Sequence, residues 1–587
     1  MSPRLRDFRH WLALAPVLVF LTVLFIYPVA QLLWLSVWSR EGGVTSEHFA
    51  RFFHSPVYLQ VMLVTLKIAF WTTVLCLLGA YPLAYLLSTT GPNTRNALIL
   101  WVLMPFWTSF LVRTFAWVVL LGRNGAVNSW LKSAGVVDES LELIYNFAGV
   151  MVGTTHALLP MAVLTMLSVM QTIDPNLMKA AGTLGARGPR AFFRVYFPLS
   201  APGVAASGLL IFAVTMGFFI TPILLGSRKE SMIAQLILFQ VEERLNWHFA
   251  AAISVVLLAG TAVLFFVYDR MVGISALAGE RRDEYAPAAP RLARIGAWLS
   301  TNVLPRIGDL IAQVLDVMDK VLPAFGRRRE ARMGLWFVSM AILAFLVIPA
   351  FFLIPVSFTE GEFIEWPPSG FSLRWYREYL DSPVWQGATI RSLLVGVATA
   401  ALSLALGIPA AFALTRTKVL GRSAVLAFTV APLIVPHIIV AIGLFYLYAQ
   451  LGIVGTSFGL VMGHTVFAVP YVVITMMAAL KNYDVRLDQA AASLGATPRR
   501  TLFRITLPVL RAGVFASFIF AFVRSFDELT VALFVSGGLA TTLPKQMWSD
   551  ALLKINPTLA AVSTCLLVFI TITILASEYV NRRKFSK

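Results

Sequence analysis

Charged residues are scarce in this 587-residue chain, at 13% against 58% hydrophobic residues. Soluble globular proteins have about 25% charged and about 45–50% apolar residues, so this composition excludes a soluble domain. Cysteine is scarcer still: Cys76 and Cys565 lie far apart in apolar runs, which excludes a disulfide framework. The sequence also lacks a Gly-x-x-x-x-Gly-Lys-Ser/Thr phosphate loop, a His/Cys cluster and a paired-carboxylate motif, so no catalytic or metal site is indicated.

Long apolar runs are what the chain has instead. About 20 apolar residues cross a hydrocarbon core of roughly 30 Å, so we expect an all-α polytopic membrane protein with about twelve transmembrane helices. The predicted spans lie near 11–38, 60–88, 97–122, 145–170, 202–226, 248–270, 335–358, 388–415, 424–450, 455–480, 511–536 and 557–578.

The formal net charge of +18 is concentrated between these runs. Arginines crowd residues 187–194, 270–333, 416–422 and 499–511 and the C-terminal tail, whereas the alternate loops are acidic. This positive-inside pattern predicts that both termini and the central segment of a multi-pass membrane protein lie in the cytoplasm. Orientation in the lipid membrane therefore explains the positive charge. We do not expect nucleic acid as a partner.

The two sets of six spans are copies of each other. At an offset of 327 residues Pro105 aligns with Pro432, and beyond the third span an offset of 310 aligns residues 174–204 with 484–514. The change of offset predicts an insertion in the first half, around 123–143. Because each half has six spans, both copies have the same membrane orientation and form parallel repeats.

These features divide the chain into three parts. We assign residues 1–270 to the first half, 271–333 to a cytoplasmic linker and 334–587 to the second half. Between 295 and 325 the linker has apolar residues at near-helical spacing, which predicts an amphipathic helix lying on a surface.

The most regular part of the repeat is a polar loop, found at 172–199 and again at 482–509. Its repeated residues are Ala180, Ala181, Gly185, Arg190, Arg194 and Pro198 in the first copy, and Ala490, Ala491, Gly495, Arg500, Arg504 and Pro508 in the second. This order predicts a short helix, a glycine break, a second short helix and a span that opens at the proline. An ordinary interfacial loop would explain one copy, whereas recurrence in constant register favours a docking element.

These loops resemble the EAA loop in permeases of ATP-binding-cassette (ABC) importers, whose pattern is Glu-Ala-Ala, three residues, Gly, nine residues, Ile-x-Leu-Pro. The resemblance covers both halves and implies the type I importer permease fold in a bacterial inner membrane. It also implies that each loop docks on one of two cytoplasmic ATPase subunits, which bind ATP and Mg²⁺, and that a periplasmic binding protein delivers a small solute. Lys179 and Gln489 replace the glutamate of the pattern. We call residues 172–199 and 482–509 the coupling loops.

Three further segments narrow the resemblance. Residues 105–117 and 221–227 resemble the first permease of spermidine/putrescine importers, and residues 525–530 resemble the second. This implies two fused permeases for a polyamine-like cation, although importers of opines, aminophosphonates and ferric ion share parts of these signatures. A secondary transporter of the major facilitator class also has twelve spans in parallel sixes, but the doubled coupling loop favours the ABC importer.

Candidate residues of the translocation path lie in or beside several spans. They are Trp107, Arg113, Phe218, Phe219, Arg524, Asp527 and Glu528. Carboxylates inside a membrane usually face a cavity or a partner, so the acidic pair either attracts an ammonium group or includes an ion pair between Arg524 and Glu528 at i, i+4.

The first half is apolar and aromatic at the matching position, through Phe218 and Phe219, and an aromatic wall suits a cation. Arg113 either contacts an anionic ligand or caps a neighbouring helix. His156 and His464 do not align under the repeat, which argues against a paired metal site.

Overall fold

The computed structural model describes residues 3–39, 41–186, 188–272, 306, 308–310, 313, 327–368, 370–417, 421–553 and 556–585. Within these ranges the side chains at 3–10, 106, 107, 189, 268–272, 327–331, 539, 570 and 573–585 are not described. Most of the predicted linker, 271–333, and most of its amphipathic helix therefore lie outside the described residues.

The described chain is helical, as its composition predicts, and its only β pairings are the isolated bridges Trp38–Val44 and Thr359–Phe371. The helices of the first half are α1 (Pro3–Leu21), α2 (Tyr27–Leu35), α3 (Glu47–His54), α4 (Pro56–Thr89), α5 (Pro92–Trp107), α6 (Phe110–Leu121), α7 (Ala126–Ser133), α8 (Phe147–Met170), α9 (Pro175–Thr183), α10 (Pro189–Ala191), α11 (Phe197–Met216), α12 (Ile220–Leu225), α13 (Ile233–Glu242) and α14 (Trp247–Val272).

The second half repeats this order. Its helices are α15 (Arg327–Val356), α16 (Arg374–Asp381), α17 (Pro383–Arg416), α18 (Arg422–Val430), α19 (His437–Leu451), α20 (Ser457–Lys481), α21 (Arg486–Ser493), α22 (Pro498–Thr501), α23 (Leu507–Val509), α24 (Arg511–Phe526), α25 (Thr530–Val535), α26 (Leu543–Leu553) and α27 (Pro557–Phe585). Matched prolines, Pro56 and Pro383, open α4 and α17, where a missing N–H costs nothing because the first turn has no acceptor for it.

Within the described residues, nine segments are long and apolar enough to cross a membrane, or up to eleven if two bent pairs each count as one span. Every predicted span contains helix, but several are not straight. The third, 97–122, is divided between α5 and α6, and in the ninth the segment Arg422–Leu433 and α19 meet at 88°. The eleventh, 511–536, is divided between α24 and α25, and α24 meets the preceding segment Pro498–Val509 at 72°. The last predicted span coincides with α27, whose described apolar part is Pro557–Phe569.

The predicted insertion is present as α7 and the loop after it. Asn128 of α7 donates to the carbonyls of Gly122 and Leu141 at 3.0 Å, which closes this segment on itself. The Ser129 hydroxyl donates to the carbonyl of Trp366 in the second half at 2.7 Å, and the Trp366 amide donates to the Asn124 carbonyl at 3.0 Å. The insertion therefore joins the two halves at the loop that follows α15.

The first long helix of each half packs against the other half. α1 and α2 contact α17 and α19, whereas α15 contacts α4, α5 and α6. Small residues at one matched position make this close approach possible. A Cβ added at Gly443 in α19 would lie 2.9 Å from the carbonyl oxygen of Pro28, and its repeat partner is the fully buried Ala116. Because the exchange is reciprocal, the halves pack as one body.

Gly443→Ala tests this exchange. The added methyl group overpacks the contact with α2, and we expect it to cost about 1–3 kcal/mol and to lower the thermal unfolding temperature of the purified protein in detergent. Gly387→Ala in α17 is the matched control, because a Cβ there meets no atom within 4 Å. Equal unfolding temperatures for the two variants would contradict the close approach.

Candidate functional site: the coupling loops and the contact between halves

Both coupling loops begin with a capped helix. The Asp174 side chain accepts a hydrogen bond from the Asn176 amide at 2.9 Å before α9, and the matched Asp484 accepts from the Arg486 amide at 2.9 Å before α21. A carboxylate there satisfies an amide that has no partner within the helix. The same local chemistry therefore starts both helices.

The glycine break is present in both loops. α9 ends at Thr183 and α21 at Ser493, and Gly185 and Gly495 follow with φ of 85° and 80°. A Cβ at either glycine would meet no atom within 4 Å, so the left-handed backbone and not lack of space requires glycine. The predicted order of helix, break and helix is confirmed.

Only one alanine of each predicted pair faces outward. Ala181 and Ala491 are buried, whereas Ala180 and Ala490 are exposed. Next to the exposed alanines the structure presents large apolar side chains that the sequence analysis missed. Leu184 and Leu494 are 88% and 89% exposed and occupy matched positions. Leu177 and Leu487, seven residues earlier, are also exposed, so each loop exposes two leucines.

The basic residues of the two loops have different surroundings. Arg194 Nη2 lies 2.7 Å and Arg190 Nε 3.6 Å from the carboxylate of Asp309 in the linker. In the second loop Arg500 and Arg504 are exposed, and the described part of the chain contains no ion pair to them. Asp309 therefore distinguishes the first loop from the second.

The prolines close both loops as predicted. Pro198 lies in the first turn of α11, and Pro508 lies in the first turn of α23, just before α24. A π-turn precedes each proline, at Phe192–Tyr196 and Leu502–Thr506. The backbone is thus continuously helical from Pro189 and from Pro498 up to the proline of each loop.

The halves also meet at two matched corners, which we call the central contact. Gly217 ends α11 and packs on Pro436, where an added Cβ would lie 3.0 Å from the proline Cβ. Asp527, the repeat partner of Gly217, ends α24 and accepts a hydrogen bond from the Phe110 amide at 3.0 Å. Pro436 and Phe110 each lie where a broken helix of the opposite half resumes. Each corner therefore closes against the break in the other half.

The acidic pair of the second half has two separate roles in the structure. Glu528 is 2% exposed, and its Oε2 lies 2.5 Å from Arg524 Nη2. Its Oε1 accepts from the Val531 amide at 3.1 Å, so both of its oxygens have partners. Of the two alternatives for this pair, the structure contains the ion pair, and Asp527 is the carboxylate that lies at the central contact.

The predicted aromatic wall, Phe218 and Phe219, directly follows Gly217 at the central contact. Phe218 packs edge-on against Phe110, with ring centroids 4.7 Å apart, and the buried Phe219 packs edge-on against Trp548 of α26 at 5.9 Å. The aromatic wall therefore contacts the broken helix of its own half through Phe218 and reaches the second half through Phe219. The side chain of Trp107 lies outside the described residues.

Arg113 is buried in α6 and donates to the Ala157 carbonyl of α8 at 3.0 Å. Of the two alternatives that the sequence leaves open, this is a contact with a neighbouring helix, but it lies in the middle of α8 and is not a cap. The two histidines lie in separate environments: His156 Nε2 is 3.0 Å from the Leu346 carbonyl oxygen, and His464 Nδ1 is 2.8 Å from the Ser525 hydroxyl. In the described ranges no group of three or more His, Cys, Asp or Glu side chains is arranged to hold a metal.

The central contact is closed in this conformation. The cavity beside Asp527 has a volume of about 20 Å³ and is lined by Ser109, Phe522, Val523, Phe526, Asp527, Leu566 and Phe569. Roughly 10–15 Å³ holds one water molecule, so this cavity is too small for an organic solute. The two halves are therefore in direct contact at this point.

Comparison with known proteins gives one family match and many relatives. Residues 403–586 match the family described as the binding-protein-dependent transport system inner membrane component. The chain is 33% identical over 261 residues to the spermidine/putrescine transport system permease protein PotB of Haemophilus influenzae, which spans 43% of this chain and 91% of the relative. It is also 33% identical over 245 residues to PotC, the permease of the same description from Escherichia coli, spanning 42% of this chain and 92% of the relative.

Among solved structures, the chain is similar to a chain of a bacterial alginate ABC transporter in complex with an alginate-bound periplasmic protein. The sequence identity is 18% and the TM-score 0.40, and the similarity covers 45% of this chain and 94% of that chain.

The buried ion pair gives a stability prediction. Arg524→Met leaves the Glu528 carboxylate buried without its cation, and we expect a loss of about 3–5 kcal/mol. Arg524→Met combined with Glu528→Gln removes both charges and should recover most of that loss. Arg374→Met is the control, since Arg374 and Glu362 form an exposed pair whose loss should cost at most about 1 kcal/mol. Thermal unfolding in detergent measures all three, and equal shifts for Arg524→Met and Arg374→Met would contradict the buried pair.

Proposed function

We propose that this chain, a member of the family of inner-membrane components of binding-protein-dependent transport systems, transports a small cation of the polyamine class. It is an ABC importer permease and not an enzyme. Two relatives that each match about two-fifths of the chain are permeases of spermidine/putrescine systems. The observation that carries the proposal is Asp527, a carboxylate at the corner where the halves must part.

The central contact suggests how such a solute is admitted. In the closed conformation the Phe110 amide of the opposite half donates a hydrogen bond to the Asp527 carboxylate. Separation of the halves removes that donor, and an intramembrane carboxylate that loses a hydrogen bond is costly. An ammonium group restores a charge-assisted hydrogen bond, so the open path favours a cationic amine. Phe218 and Phe219 supply aromatic faces to the rest of the cation.

We further propose that two separate cytoplasmic ATPase subunits bind ATP and Mg²⁺ and dock on this chain, one on each coupling loop. The exposed leucines of each loop are the apolar contacts, and the arginines frame them. A periplasmic solute-binding protein docks on the opposite face. Because an even number of predicted spans separates the coupling loops from both termini and the linker, these also lie in the cytoplasm.

Asp527→Asn tests the solute class. Asparagine still accepts a hydrogen bond from Phe110, so the closed contact is kept while the charge is lost. We expect the amine concentration for half-maximal uptake into proteoliposomes to rise roughly tenfold, the equivalent of one charge-assisted hydrogen bond. Asp138→Asn, in the loop after α7, is the control. An unchanged concentration dependence for Asp527→Asn would exclude a role for this carboxylate in amine transport.

Leu184→Ser and Leu494→Ser test the docking surface. Burial of a leucine side chain contributes about 1.5–3 kcal/mol, so each substitution should weaken binding of the partner ATPase roughly ten- to a hundredfold. Leu553→Ser is the control, because Leu553 is 83% exposed but lies outside both coupling loops. Affinity is measured by titrating the purified ATPase onto the permease in nanodiscs. If all three variants bind the ATPase equally, the leucines are not its contacts.

A further inference from the structure

Asp488, in the second coupling loop, has no place in the proposal above. It lies in the first turn of α21, one residue before Gln489. Its Oδ2 is 2.5 Å from Arg416 Nη1, and its Oδ1 accepts hydrogen bonds from the hydroxyls of Tyr483 at 2.7 Å and Thr506 at 2.8 Å. Protein groups therefore hold both oxygens of this carboxylate.

The three donors belong to three different elements. Arg416 is the last residue of α17, Tyr483 follows the end of α20, and Thr506 ends the π-turn that leads through α23 into α24. α17, α20 and α24 pack on one another within the second half. One carboxylate thus connects the second coupling helix, α21, to the cytoplasmic ends of the three helices that form this bundle.

The first half has no such network at the matched positions. Under the repeat, Arg416, Tyr483, Asp488 and Thr506 correspond to Thr89, Ile173, Met178 and Tyr196. The Tyr196 hydroxyl is hydrogen-bonded to Ser88 at 2.7 Å, and its ring centroid lies 4.8 Å from that of Tyr85. Ile173 and Met178 pack against the same apolar cluster. Apolar packing therefore attaches the first coupling helix, α9, and a neutral hydrogen bond joins the following π-turn to α4, whereas an ionic network attaches the second coupling helix.

The network favours the charged form of the carboxylate. Burial by itself raises the pKa of Asp488, but hydrogen bonds from its three donors and the nearby Arg416 charge outweigh burial and hold the pKa below its usual value. The side chains of Arg416 and Asp488 are 23% and 20% exposed, so water screens this pair less than it screens a surface pair. Removing one partner would leave the other charge poorly solvated.

We propose that Asp488 is a positioning residue that transmits movement of the second coupling helix to α17, α20 and α24. A carboxylate held by three donors from fixed directions has a defined geometry, whereas apolar side chains can slide over one another. The two halves then respond to their ATPase subunits through different contacts. The inference rests on the proposed function, and it adds that the two coupling loops are attached unequally.

Asp488→Asn in proteoliposomes with the partner ATPase and binding protein tests the inference. The solute imported per ATP hydrolysed is measured together with ATPase binding. Loss of the charge-assisted bonds should lower that ratio roughly tenfold while the ATPase stays bound, because the leucine contacts are intact. Tyr196→Phe is the matched variant in the first half; it removes a neutral hydrogen bond but leaves the packing, so the ratio should change no more than about twofold.

A charge exchange separates positioning from folding. Asp488→Arg and Arg416→Asp should each lower the ratio, and the double variant, which restores an ion pair between the same elements, should recover it. If Asp488→Asn does not assemble, Thr506→Val, which removes one donor only, should lower the ratio about threefold.

A wild-type ratio in Asp488→Asn or in the assembled Thr506→Val, or an equally large fall in Tyr196→Phe, overturns the inference. These outcomes leave the proposed function intact. That function fails separately, if the wild-type chain imports no solute with ATP.

Discussion

Backbone hydrogen bonding within a hydrocarbon layer is the constraint on which this architecture depends. A membrane segment must satisfy its own N–H and C=O groups, and irregular backbone is tolerated only where protein or a water-filled cavity covers it. The break between α5 and α6 obeys this rule, because Thr108 is buried and its hydroxyl donates to the Pro105 carbonyl at 2.8 Å. Asp527 from the other half accepts the Phe110 amide beyond it. The irregular backbone thus lies where the halves meet.

Duplication kept this geometry while the chemistry of the two copies diverged. The corner residue is Gly217 in one half and Asp527 in the other, yet both close against a broken helix of the opposite half. The coupling loops share their capping aspartate and their left-handed glycine, but Met178 in one corresponds to Asp488 in the other. Backbone features are thus shared, whereas the charged contacts that distinguish one half from the other belong to single side chains.

Much of the fold is predictable from the chain because local chemistry decides it. Apolar runs predict the helices, and the repeat aligns Pro105 with Pro432, although only the structure shows that a helix break follows each proline. The glycine at 185 predicts a helix end because its left-handed φ is costly for other residues. Contacts between distant residues are not predictable in this way. Asp309 meets Arg194, and the insertion meets Trp366, only because packing brings separate segments together.

The sequence by itself therefore determined an all-helical membrane chain built of two parallel copies, each with one coupling loop, since hydropathy and internal alignment are properties of the chain alone. Only the tertiary structure decided which carboxylates have partners: Glu528 is paired with Arg524, Asp488 is held by three elements, and Asp527 faces the other half. The physical reason is that a buried charge is defined by its neighbours: the partner of Glu528 is local, whereas Arg416 and Phe110 reach Asp488 and Asp527 only through packing of distant segments.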